Sequence, residues 1–162
     1  MVTSLDRLHE RGIRRVQLEV IKGNEPAHRL FLKLGFVEYR ELLVIRRSPK
    51  PISTNGLPVS ATVSALDGHT IAQCLQNRES HLAWTEETAS LLNTQALRGI
   101  GISLPSGETG WLIYQFSAFE LTHVVLNPGA SLDMIGALIY QLHKQNPMHD
   151  TKIENIPREH RA

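Results

Sequence analysis

The chain has 162 residues, 41% hydrophobic and 20% charged, a composition suited to a soluble globular domain with a real core. Its one cysteine, Cys74, excludes an internal disulfide and a multi-cysteine zinc site, and no apolar run approaches the ~18 residues of a membrane helix. The net charge of +1 argues against a nucleic-acid partner, yet residues 1–50 carry 11 Lys+Arg against 6 Asp+Glu while residues 51–162 carry 6 against 10.

The N-terminal MVTSLDRLHERG is charged and amphipathic, without the apolar stretch of a secretory leader, so a reducing cytoplasm is expected. Leu5, Leu8 and Ile13 read as one side of a helix tail stopped at Gly12. Val16–Val20 alternates strictly, the pattern of a half-buried strand. Asn24 caps a helix that opens with Glu25 and Pro26 and carries Ala27, Leu30, Phe31 and Leu34 on its core side. Gly35 ends it, and Phe36 folds back. Tyr39–Ile45, rich in large and β-branched residues, predicts another strand.

The seam is Ser48–Pro58, SPKPISTNGLP, whose three prolines favour an extended linker. Beyond it, Val59, Ala61, Val63 and Ala65 alternate as a strand. Helices are predicted over 67–77 and 85–94, and strands over 99–104, 111–116 and 119–126. The last two are separated only by Ser117-Ala118 and should pair antiparallel, and PSGETG is a hairpin turn. Ser131 caps a helix with Leu132, Ile135, Leu138, Ile139 and Leu142 on one face, and Thr151–Ile156 is a closing strand. The order β-α-α-β-β-β-α-β predicts an α+β fold with a mixed, mainly antiparallel sheet flanked by helices.

Few residues spell chemistry. Gly101-Ile102-Ser103-Leu104-Pro105 lacks the second glycine and the following helix of a hydrolase nucleophile elbow, and Gly99-x-Gly101 lacks the rest of a dinucleotide loop. The eight histidines form no HExxH or Cys/His cluster, so no metal site is expected. The strand running through Leu126 into Asn127-Pro128-Gly129 and a helix start is a place where backbone N–H groups could meet an anion, although most such junctions are plain connections.

LEVIKGNEPAHRLFLKLGFVEYRELLVIRR resembles the C-terminal half of a GNAT-superfamily N-acetyltransferase, through Asn24, Ala27, Leu30, Lys33, Gly35, Phe36 and Arg40. GWLIYQ, FELTHVVLNP and the helix after them are similar, more loosely, to the N-terminal part of a second such module. Trp84 and the late TKIENIPREHR, which echoes VQLEVIKGNEPAHR, suit a tandem arrangement. The resemblance implies residues 1–47 as half of one module, 48–58 as linker and 59–162 as part of a degenerate second one, incomplete or permuted. It implies transfer of an acetyl group from acetyl-CoA to an amine of a small molecule or peptide. Asn24, Ala27, Phe31, Val125, Leu126, Gly129 and Ala130 would then face the cofactor, with Glu120 and His123 as candidate bases. Three departures weaken this set. The phosphate loop keeps one glycine and no arginine, Asp133 opposes phosphate, and Phe31 stands where the family often has a tyrosine. Weak or absent acetyl-CoA binding is therefore expected, as is the alternative of a non-catalytic packing, dimerisation or sensing module. A 47-residue piece is small for a core, so either the halves touch or a second copy, in a homodimer, supplies the missing surface.

Overall fold

The computed structural model describes residues 2–52, 61–78, 82 and 84–157. It comprises two compact units, residues 1–41 and 42–162.

The first unit holds two helices, α1 (Val2–Glu10) and α2 (Glu25–Lys33). Gly12, at φ 76°, ends α1 as expected, with the Ile13 N–H donating to the Leu8 carbonyl at 3.0 Å. Asn24 Oδ1 accepts the Ala27 N–H at 3.3 Å, the predicted cap. Gly35 turns the chain out at φ 87°, and the Phe36 N–H returns to the Phe31 carbonyl at 3.1 Å. The Phe31 and Phe36 rings meet edge to face, 5.6 Å apart, so the predicted fold-back is present.

Two expectations fail here. Val16–Val20 forms no strand, because alternation creates a strand only where a neighbouring strand accepts its hydrogen bonds, and the segment is not one of the six strands of the described sheet. Leu30 is no core residue but 47% exposed, and no described side chain of α2 is fully buried.

The second unit is a six-stranded open sheet with helices. Its strands are β1 (Leu42–Arg47), β2 (Thr62–Leu66), β3 (Leu97–Ser103), β4 (Thr109–Phe116), β5 (Glu120–Leu126) and β6 (Asp150–Pro157). They lie in the order β1-β6-β5-β4-β3-β2, antiparallel throughout except for parallel β5 and β6. The predicted β4–β5 hairpin is there, with Leu112 opposite Leu126 and Phe116 opposite Leu121. The strand expected over 39–45 begins later, at Leu42, and pairs with β6. The compact units thus part at Glu41/Leu42, ahead of the expected seam, of which 53–58 lies outside the described residues. Val59 and the His-Arg of the late echo also lie outside them.

Helices α3 (Gly68–Gln76, capped by Asp67) and α5 (Leu132–Gln145, capped by Ser131) fall where the pattern puts them. The helix expected over 85–94 is broken: a 3-10 turn, Trp84–Glu86, precedes α4 (Thr88–Leu92), with Glu87 in extended conformation between them. Two cores result. Ile100, Ile102, Leu112, Tyr114, Leu121 and Val124 pack with Met134, Ala137, Leu138 and Leu142 of α5. Ile113 and Val125 pack with Ile71, Leu75 and Leu91 of α3 and α4. The glycines of Gly99-x-Gly101 serve packing, since a Cβ on Gly99 would sit 2.9 Å from the Leu66 side chain.

Of the predicted α5 face, Leu138 and Leu142 are completely buried and Ile139 packs partly against the core, as expected, but the start of the helix is turned. Met134 and Ala137 take the buried positions, while Leu132 is 83% exposed and Ile135 faces outward. Leu138 and Leu142 suit both phases, Leu132 and Ile135 continue one and Met134 and Ala137 the other, and only the sheet decides between them.

Candidate active site

β5 and β6 run parallel yet pair only at their first residues, Glu120 with Asp150 and Leu121 with Thr151. Beyond Leu121 the ladder between them stops. Parallel neighbours normally hydrogen-bond evenly along their length, so the later backbone of β5 is left without that ladder on the β6 side. Both strands depart from regular geometry beside the gap. His123 stands at φ 49°, where two β5 residues oppose one on β4 between the Ile113/Val125 and Gln115/Thr122 pairs. Asn155 stands at φ 62°, where β6 bulges against β1, and its Nδ2 donates to Thr85 Oγ1. The bulge at His123 also exchanges the faces of β5. Leu121 and Val124, three apart, share one core, while Val125 enters the other.

At the paired end of the gap, Arg46 of β1 holds the Asp150 carboxylate, its Nε at 2.8 Å from Oδ2. The hydrogen bond from Arg46 keeps the Asp150 carboxyl below the ordinary carboxylate range and raises the guanidinium in turn.

Downstream of β5 the chain turns through Gly129, at φ 70°, into α5. The Ser131 Oγ accepts the Met134 N–H at 3.1 Å. Glu108, from the β3–β4 turn, reaches the same helix start. Its Oε1 accepts the Ser131 N–H at 3.1 Å and its Oε2 the Ser131 hydroxyl at 2.7 Å. The helix start already holds an anion supplied by the chain itself. Asn127 closes the junction, its Oδ1 accepting the Trp111 N–H at 2.9 Å.

The residues singled out by sequence separate into groups. Val125, Leu126, Gly129 and Ala130 follow one another from the gap to the start of α5. Val125 is a core residue by its side chain, and Leu126 and Ala130 pack partly against the α5 core. Glu120 is exposed at the paired end of the gap, and His123 is at the bulge. Asn24, Ala27 and Phe31 belong to the first unit, as cap and half-buried residues of α2. Glu108, Asn155 and Thr85 had no signal in sequence, because each acts through a partner far along the chain. For His123 the signal is faint: histidine is among the side chains that tolerate the left-handed region. Among the described residues no group of three or more His, Cys, Asp or Glu is placed to hold a metal ion. None of the described helices is long and apolar enough to cross a membrane. No family model matches the chain, and no curated protein matches it.

Proposed function

We propose that the chain is part of a GNAT-type N-acetyltransferase that brings acetyl-CoA to an amine, its second unit carrying a degenerate cofactor site. The observation that carries this reading is the parallel β5–β6 pair, which hydrogen-bonds only at its first two residues. An extended, amide-bearing arm such as pantetheine can pair with a strand whose ladder stops short. The junction after β5 leads to a helix start, the usual place for the phosphates beyond such an arm. The motif NEPAHRLFLKLGF supports the same family by resemblance.

Acyl transfer asks little of the protein: backbone N–H groups to polarise the thioester carbonyl, and a group to take the proton of the attacking amine. Residues 122–126 would supply the first. Glu120 and His123 are the candidates for the second, His123 nearer the open part of the gap.

The pyrophosphate fits less well. Glu108 occupies the helix start and Asp133 stands in the first turn, so two carboxylates oppose the phosphates. That arrangement favours a second reading, a non-catalytic module in which the anion site has been filled from within. Calorimetry of acetyl-CoA into the purified chain separates the two, alongside thiol release with a panel of primary amines. Weak binding with slow thiol release fits the degenerate enzyme. Micromolar binding would remove the degeneracy from the proposal, and no binding together with no release would leave the non-catalytic module.

A further inference from the structure

The outward face of α5 and the segment after β1 enclose a hollow of about 390 Å³, which shares no residue with the β5–β6 gap. Ile135, Ile139, Tyr140 and Ile52 line it, with Arg47 and Lys50 at its edge. Ile135 is 36% exposed on α5, while Ile139 reaches the hollow from the margin of the core that it partly packs against. Among the described residues no acidic side chain lines the hollow. The Arg47 Nη2 donates to the Lys50 carbonyl, while its Nη1 is enclosed without an acceptor among the described residues. None of the ion pairs found among the described residues involves Arg47 or Lys50. His143 also borders the space, turned to Thr151 Oγ1 at 3.1 Å, and it is held neutral by burial and by the charge of Arg47.

We propose that this hollow binds a small amphiphilic monocarboxylate of medium chain length, its carboxylate at Arg47 and its tail along Ile135 and Ile139. An uncompensated guanidinium beside an apolar wall calls for an anion that carries an apolar body. A guanidinium offers the planar fork that a carboxylate matches. Free phosphate or sulfate would find too few polar partners here to replace its water. The volume lies at the small end of ligand pockets, suiting a chain of about eight carbons.

Octanoate is the probe, with octan-1-ol and acetate as controls, titrated into the full chain by calorimetry and followed by amide chemical shifts. Octanoate should bind saturably and at least tenfold more tightly than octan-1-ol, with acetate silent. Arg47→Gln should bring octanoate down to the level of the alcohol. If circular dichroism shows that variant unfolded, Ile135→Glu at its outward-facing position keeps the test, since a carboxylate in the hollow should expel octanoate at least tenfold. Equal affinity for alcohol and acid, binding indifferent to Ile135→Glu, or no saturable binding overturns the proposal. So does a monomer–dimer equilibrium that Ile135→Glu abolishes while octanoate leaves it unmoved, because the hollow then belongs to a second copy.

Discussion

Glu108 is the residue on which the two readings proposed for the junction between β5 and α5 divide. Its carboxylate spans the N–H and hydroxyl of Ser131, and so neutralises a helix start that would otherwise attract phosphate. Glu108→Gln keeps the shape and removes the charge, so acetyl-CoA binding should tighten severalfold by calorimetry. An unchanged affinity would mean that Glu108 is a cap and nothing more. His143 sets a second expectation at this scale. Burial, and then the charge of Arg47, depress its pKa from the ordinary 6.5 to about 4. The unfolded chain therefore takes up a proton between those values while the folded chain does not. The stability is fully present above about pH 6.5 and is lost progressively as the pH falls towards 4. Urea midpoints measured from pH 7.5 to 4 should show that decline, and His143→Leu should flatten it.

At the scale of elements, α2 and α5 carry similar apolar spacing and have different fates. Leu138 of α5 is completely buried, and Leu138→Ala should cost about 2–5 kcal/mol. Leu30 of α2 is half exposed, so Leu30→Ala should cost less than about 1 kcal/mol. Denaturant titrations of the two variants compare them directly, and equal shifts would mean that α2 packs more deeply than its exposure shows. Caps and breakers were legible: Asn24 with Pro26 opening α2, Ser131 opening α5, and Gly12 and Gly35 ending α1 and α2 each impose their geometry locally. The phase of the first turns of α5 was not, because Leu132 and Ile135 are as apolar as Met134 and Ala137. Strand β5 teaches the same lesson. Its residues read as one alternating run, yet the bulge at His123 puts Leu121 and Val124 on one face.

At the scale of the molecule, the described residues of the first unit from Leu5 to Glu41 include no fully buried side chain, while the second unit holds both cores. Residues 42–162 expressed alone should therefore unfold in a single cooperative transition of their own. Loss of that transition in calorimetry would show that the sheet needs residues 1–41.

Length, composition and local pattern determined by themselves that this is an α+β chain, and they located most of its helices and strands and the β4–β5 hairpin. Those features rest on interactions within a few residues, where capping, periodicity and turn chemistry act. Tertiary structure alone decided that β1 begins at Leu42 and borders β6, that Val16–Val20 forms no strand, and that β5 and β6 pair at two residues only. It also brought Glu108 to Ser131 across 23 positions of sequence. Each of these depends on which backbone groups find partners far along the chain, and hydrophobic alternation is blind to that choice.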